Sequence, residues 1–379
     1  LLSSSGIYLL QAAPDASLDA LIDQMQGDPN ILAAESNIVG SAPEANSRDT
    51  YAWPEGTTTA ELRTEYGWEY GGRDAAHYEN QPINHKLSLT SARQISSGHG
   101  TTVAILDTGI DLTHPLLAPA LSGVTYDFID DDPTPTDVGN NLDDDGDGAI
   151  DEAFGHGTHI AGIVHLVAPD ASLLPLRVLD ADGQGHAIVI AEAIRYAVDQ
   201  GADVINLSLG TSIPSPTLQA AVEEATAAGV LVVAAAGNLS TDIPQYPAAY
   251  ACALGITAVD NSTLHKADYA NYGAWIGVAA PGERIYSTYP AGSFAWWNGT
   301  SMAAPFASAQ AALLLAQQTA LSPSALAAHI AATARPLDQQ NPDYAGLLGA
   351  GRIAPLHSLQ TPAAAPTAAA TNPFAHCSP

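Results

Sequence analysis

From Thr101 onward the chain alternates short, continuously apolar runs with longer stretches of helical periodicity. The apolar runs cover residues 102–106, 172–178, 204–207, 230–235 and 253–258, and the helical candidates are residues 157–166, 186–198, 215–228 and 301–316. A strand apolar at every position, rather than at alternate ones, is covered on both faces, which is the condition of a parallel sheet sandwiched between helices. The predicted fold class is therefore α/β, with three layers around a central, mostly parallel sheet. In such sheets ligand-directed groups gather at the carboxyl ends of the strands.

Composition narrows the partners. The 379 residues carry a net charge of −29, with Lys86 and Lys266 the two lysines. So strong a negative field argues against nucleic acid and anionic membrane. No apolar run reaches the roughly 18 to 20 residues needed to cross a bilayer. The start Leu1-Leu2-Ser3 lacks the basic opening of a signal peptide; with no initiator Met, the sequence is expected to be a fragment, which leaves room for a signal upstream of residue 1. Cys252 and Cys377 are too few for a disulfide framework, and Cys252, in an apolar run, reads as a plain buried residue.

Ahead of the alternating region lies a small unit. Residues 6–11 read as a strand, Ser17 caps a run in which Leu18, Leu21, Ile22 and Met25 share one helix face, and residues 31–39 read as a second strand after Gly27-Asp28-Pro29. This α+β unit, residues 1–46, is followed by a linker, residues 47–77, unusual for its aromatics Tyr51, Trp53, Tyr66, Trp68 and Tyr70. Residues 78–358 form the main domain, its last helix predicted over 322–334. Residues 359–379 form an Ala/Pro/Thr-rich tail that cannot bury a core.

Four stretches carry chemistry. Val103-Ala104-Ile105-Leu106-Asp107 is an apolar strand ending in an acid; Gly155-His156-Gly157-Thr158-His159 sets a histidine between glycines at a helix start; Val232-Val233-Ala234-Ala235-Ala236-Gly237-Asn238 ends a strand in an amide; Asn298-Gly299-Thr300-Ser301 sets a serine before an apolar helix. Each alone has an ordinary structural reading as turn, cap or core residue. Together they supply an acid, a base, an uncharged donor and a hydroxyl whose weak nucleophilicity needs that base.

With Asn206-Leu207-Ser208-Leu209-Gly210 and Ala280-Pro281-Gly282 added, the chain resembles the subtilisin-like serine peptidases from about Tyr78 to Leu356. The resemblance implies a subtilisin-like fold and a serine endopeptidase with Asp107 as orienter, His156 as general base and then acid, and Ser301 as nucleophile. Asn238 and the Ser301 N–H would form the oxyanion hole. It also implies that Gly183, Gln184 and Gly185 on one side, and Ser208, Leu209 and Gly210 on the other, hold an extended polypeptide substrate. Gln245 stands where relatives often have a small residue on the primary pocket's floor, which argues against a large aromatic preference. After Pro305, where relatives usually place histidine, this chain has Phe306.

The stretch Tyr126 to Glu152 holds eleven carboxylates in twenty-seven residues. Asn141, Asp143 and Asp145 followed by Gly146, with Glu152 in twelfth place, fit a calcium loop, and Asp143, Asp145 and Asp147 followed by Gly148 fit it in a second register. A solvated acidic loop is the alternative. The N-terminal unit resembles the latter part of a subtilase propeptide, which implies an intramolecular inhibitor released by processing between about residues 45 and 85. The expected protein is a calcium-supported, secreted zymogen acting as a monomer. Three alternatives fit the motifs less well. A binding scaffold would not need the whole triad, a sedolisin would not need His-Gly-Thr-His, and an α/β-hydrolase would carry Gly-x-Ser-x-Gly at Ser301.

Overall fold

The computed structural model describes residues 8–13, 16–31, 33–46, 74–318, 321–363 and 377. In the N-terminal unit, α1 (Leu18–Gln26) is capped by the Ser17 hydroxyl, as its sequence requires. The strands expected on either side differ: residues 8–11 carry no strand, and residues 31 and 33–38 stay irregular before β1 (Val39–Ser41). An extended segment forms strand structure only where a partner edge exists, and the expected strand over residues 31–39 finds one only at its end, where β1 begins. Of the expected linker, residues 47–73 lie outside the described residues, including all five of its aromatics. Residues 74–95 instead form three short helices, α2 (Ala75–Asn80), α3 (Pro82–Lys86) and α4 (Leu89–Ile95).

The sheet follows in chain order with β2 (Thr102–Asp107), β3 (Tyr126–Asp127), α5 (His156–Val167), β4 (Ser172–Arg177), β5 (Gln184–His186), α6 (Ala187–Asp199), β6 (Val204–Leu207), α7 (Pro216–Ala227), β7 (Leu231–Ala235), β8 (Ala253–Val259) and β9 (Val278–Pro281). Seven of these strands pair in the order β3-β4-β2-β6-β7-β8-β9, and every pairing is parallel. The strand hairpin β10 (Ile285–Tyr289) and β11 (Ser293–Trp297) then leads into α8 (Thr300–Gln317), α9 (Pro323–Ala332) and α10 (Pro355–Gln360).

Side chains alternate across the sheet as a doubly covered strand demands. On one face Val103, Ile105, Leu231 and Val233 pack with α5 and α8; on the other Ala104, Leu106, Val232 and Ala234 pack with α6 and α7. Helix α8 is buried from Thr300 to Leu315, and its Phe306 lies in the core. This explains why residues 301–316 are apolar all round rather than on one stripe.

The cysteine reading is corrected. Cys252 and Cys377 form a disulfide, 125 residues apart in sequence, so Cys252 is a covalent anchor rather than a free buried thiol. Closing so long a loop restricts the unfolded chain, a stabilisation of about 2–4 kcal/mol in typical cases. Denaturant unfolding of a Cys377→Ser variant is expected to lose that amount relative to the oxidised parent, and an unchanged midpoint and slope would show the bridge to be energetically idle.

Candidate active site

The site grows from places where regular structure stops. Asp107 is the last residue of β2, Asn238 lies three residues past β7, and Ser208 directly follows β6. His156 and Ser301 are the first and second residues of α5 and α8, whose N-termini point free N–H groups and positive dipole ends at the same edge. The structure brings Asp107, His156, Asn238 and Ser301 together. His156 Nδ1 lies 2.6 Å from Asp107 Oδ1, and both side chains are buried.

His156 and Ser301 do not meet directly; a carboxylate stands between them. Glu44, three residues past β1, is 2% exposed. Its Oε2 accepts from Ser301 Oγ at 2.6 Å and lies 3.1 Å from His156 Nε2, while Oε1 accepts from Asn238 Nδ2 at 2.9 Å. Gly299 permits this approach, since a Cβ there would fall 1.7 Å from Glu44 Oε1. Sequence reasoning missed Glu44: a glutamate after Ala42-Pro43 carries no local signal.

The segment leading to Glu44 lies between two backbone edges. Strand β1 pairs antiparallel with β5, aligning Val39 with His186, Gly40 with Gly185 and Ser41 with Gln184. On that same side Ala42 N–H donates to the Gly183 carbonyl at 2.8 Å, and on the other side Ser41 exchanges both main-chain bonds with Gly210, at 3.0 and 2.9 Å. Thus Gly183, Gln184, Gly185 and Gly210 hold an extended chain. Leu209 is buried in the core, and the Ser208 carbonyl instead accepts from Ser301 Oγ at 3.3 Å. Further back along the segment, Glu35 accepts from Ser215 Oγ at 3.1 Å and Thr217 N–H at 3.0 Å, at the N-terminus of α7.

Secondary contacts fix each group. Asn238 Oδ1 accepts from Thr300 N–H and Oγ1 at 3.0 and 2.9 Å, leaving its amide free to donate. The Ser208 hydroxyl donates to the Ser301 carbonyl at 2.9 Å. His159 points elsewhere, with Nε2 shared between the Ile285 and Ala295 carbonyls at 3.2 and 3.1 Å. Burial, helped by neighbouring His156, drives its pKa down to about 3, so it is a neutral donor. Gln245 is 7% exposed and packs against Gly237, with its Nε2 enclosed and unpartnered.

In the acidic loop, ligand oxygens of Asp143, Asp145 and Asp147 lie within 4.8 Å of one another. These three are the acids of the second of the two sequence registers. Glu152 is near: burial first, then Asp182, Asp145 and Asp147, push its pKa up to about 7, and both its oxygens are enclosed without a partner.

Parallel-sheet topology with an acid, a histidine, an amide donor and a serine at its carboxyl edge defines a class of α/β hydrolytic enzyme. The subtilase family pattern matches residues 98–351, and the chain belongs to that family, whose members are serine endopeptidases. Thermitase of Thermoactinomyces vulgaris is 42% identical over 242 residues, covering 61% of this chain and 81% of that protein. Subtilisin BL of Lederbergia lenta is 38% identical over 278 residues, covering 71% and 93%. Among solved structures, a protease of Pseudoalteromonas arctica superposes with a TM-score of 0.66 at 29% identity, covering 72% of this chain and 93% of that one. A cold-adapted subtilisin-like serine proteinase gives 0.57 at 27%, covering 68% and 88%.

The His156 electrostatics have a measurable consequence. Burial works to lower its pKa, but the charge and hydrogen bond of Asp107, joined by Glu44, outweigh burial and raise it to about 10. A histidine raised above its ordinary value, near 6.5, contributes stability that is complete below about pH 6.5 and is lost as pH climbs through about 10. Thermal unfolding of the full chain is therefore expected to weaken across that interval, and less so in Glu44→Gln. Identical pH dependence in the two proteins would contradict the pairing.

Proposed function

We propose that Ser301 is the nucleophile of this peptidase, His156 its general base and then acid, Asp107 the orienter, and Asn238 with the Ser301 N–H the oxyanion hole. What supports this reading above all is the single carboxylate held at once by Ser301, His156 and Asn238. A site that grips one anion with a hydroxyl, an imidazole and an amide has the donors that a tetrahedral oxyanion requires.

In the proposed reaction a substrate takes the place of residues 39–42, adding a strand between Gly183-Gln184-Gly185 and Gly210. Its scissile carbonyl oxygen takes the position of Glu44 Oε1. Ser301 Oγ attacks the carbonyl carbon as its proton passes to His156 Nε2, and Asp107 stabilises the imidazolium through Nδ1. His156 returns that proton to the departing amine, breaking the peptide bond. Water, deprotonated by the same histidine, then attacks the acyl carbon, the bond to Ser301 Oγ breaks, and His156 returns the proton to that oxygen. Gln245, with its enclosed amide, disfavours a large aromatic group in the primary pocket.

In the same reading, residues 1–46 are a propeptide-like inhibitor. Docked Glu44 fills the oxyanion position and keeps His156 protonated, so the base has no capacity for the serine proton. The disulfide fits an oxidising, extracellular setting, and no helix among the described residues is long and apolar enough to cross a membrane. The acidic loop is proposed to take calcium through Asp143, Asp145 and Asp147, with Glu152 beside them. Three converging carboxylates, with the two enclosed and unpartnered oxygens of Glu152 beside them, suit a hard cation that needs several oxygen ligands, and the bound ion would neutralise their repulsion.

A fluorophosphonate probe is expected to label Ser301 slowly in the full chain and at least about 10-fold faster in Glu44→Ala. Ser301→Ala should abolish labelling and lower peptide hydrolysis by a factor on the order of 10⁶, the magnitude for losing a triad nucleophile. A folded chain relieved of residues 1–46 that still resists the probe would overturn the assignment. Separately, a calcium chelator is expected to lower the unfolding temperature of the wild-type chain but not of Asp145→Asn with Asp147→Asn.

A further inference from the structure

The acidic insertion reaches the active site through one residue that the proposed mechanism does not use. Asp137 is 4% exposed, and each of its oxygens accepts two hydrogen bonds. Oδ1 takes the Gly155 N–H at 3.0 Å and the Thr108 hydroxyl at 3.3 Å. Oδ2 takes the Thr158 N–H at 3.2 Å and the Thr158 hydroxyl at 2.7 Å. Gly155 caps α5 and Thr158 is the helix's third residue. The carboxylate therefore sits on the N-terminus of the helix that begins with His156, as a cap supplied from another segment.

The two threonines extend that grip to the strand carrying Asp107. Thr108 Oγ1, while donating to Asp137, accepts from Gly157 N–H at 3.0 Å, and Thr108 N–H donates to Asp107 Oδ1 at 2.8 Å. Thr158 Oγ1, also donating to Asp137, accepts from Asp111 N–H at 2.9 Å. The main chain joins in, with Ile110 N–H to Pro135 carbonyl at 2.9 Å and Asp137 N–H to Ile110 carbonyl at 3.3 Å. Loop 107–111 is thus tied to the start of α5 at both its ends. The fit leaves no slack: a Cβ on Gly157 would lie 2.1 Å from the Gly109 carbonyl oxygen.

We propose that Asp137 is a positioning residue for His156, setting the distance and plane of the imidazole against Asp107 and Ser301 by clamping α5 to the Asp107 loop. This rests on the reading of His156 as base. Asp137 makes no bond to the imidazole, to Ser301 or to Glu44 among the described contacts, so it acts on them through the backbone and threonine hydroxyls it holds. Burial, with the charge of Asp107 adding, pushes its pKa up to about 7 against the Thr158 and Gly155 bonds that lower it. A carboxylate in so unfavourable a place is consistent with a geometric role that a neutral side chain fills less well.

The test uses the full chain carrying Glu44→Ala, and reads the rate at which a fluorophosphonate labels Ser301. Asp137→Ala is expected to slow labelling by about 10- to 100-fold, the scale of an ångström misplacement at a reacting group. Asp137→Asn, which keeps one acceptor oxygen, is expected to fall between. In an Asp107→Asn background the cost of Asp137→Ala should shrink to less than about threefold, because the geometry it protects no longer contributes. Labelling within about twofold of the parent, or an undiminished cost in the Asp107→Asn background, would overturn the proposal. Where Asp137→Ala fails to fold, the His156 Nδ1 proton resonance decides: a shifted or broadened signal in Asp137→Asn supports the proposal, and an unchanged one refutes it. A parent that does not react at all would instead bring down the assignment of Ser301 and His156.

Discussion

A sheet buried on both faces has no room for charge except where its ladder ends. Seven parallel strands use nearly all their backbone donors and acceptors on one another, and the flanking helices seal both surfaces. Polar groups then collect at the carboxyl edge, where strands stop and helices begin. Asp107, Ser208 and Asn238 arrive there from strand ends, and His156 and Ser301 from helix starts. The two helix N-termini add unpaired N–H groups and a positive field. The edge is an anion site before any substrate is considered.

That constraint explains how Glu44 is buried at all. An isolated carboxylate in so enclosed a place is strongly disfavoured, and Glu44 tolerates it because Ser301, His156 and Asn238 each bond to it. The donors that the proposed mechanism turns on a transient oxyanion here hold a permanent one. Glu35 repeats the logic with the Ser215 hydroxyl and Thr217 N–H at the head of α7. The N-terminal unit thus docks by two glutamates on two helix N-termini, with the main-chain pairing of β1 between them. In a chain of net charge −29, placing acids on local positive sites gives attachment despite overall repulsion.

What was legible in sequence follows from range. Strands β2, β4, β6, β7 and β8 and helices α5 to α9 show locally, since periodicity is a property of neighbours. Asp107, His156, Asn238 and Ser301 were legible because each stands in its own compact motif. Glu44 was not, since its role depends on a strand pairing more than 140 positions along the chain, with Gln184 to His186. The Cys252–Cys377 bridge was hidden for the same reason. The strand expected over residues 31–39 failed because extended conformation without a partner is not a strand, and only its end meets β5. Hairpin β10–β11 went unseen because Ser287 and Thr288 interrupt its apolar run, although their hydroxyls are satisfied by α5 carbonyls.

The acidic insertion is where local composition and distant geometry meet. Read as composition it is a solvated loop, yet its contacts fall on both halves of the active site. Gln184, on the edge that pairs with β1, donates to Asp145 Oδ2 at 3.1 Å. Buried Asp182, beside that edge, accepts from the Asp144 and Asp151 N–H groups. At the other end, Asp137 clamps the start of α5. Three carboxylates within 4.8 Å repel one another, and the loop opposes that repulsion with turns in which Gly146 and Gly148 N–H groups bond to Asp143. Any change in the charge of Asp143, Asp145 and Asp147 alters the force on a segment whose ends touch the edge that pairs with β1 and the helix of His156. The loop's conformation and the active site's geometry are therefore not independent, even though none of the three carboxylates bonds to His156 or Ser301.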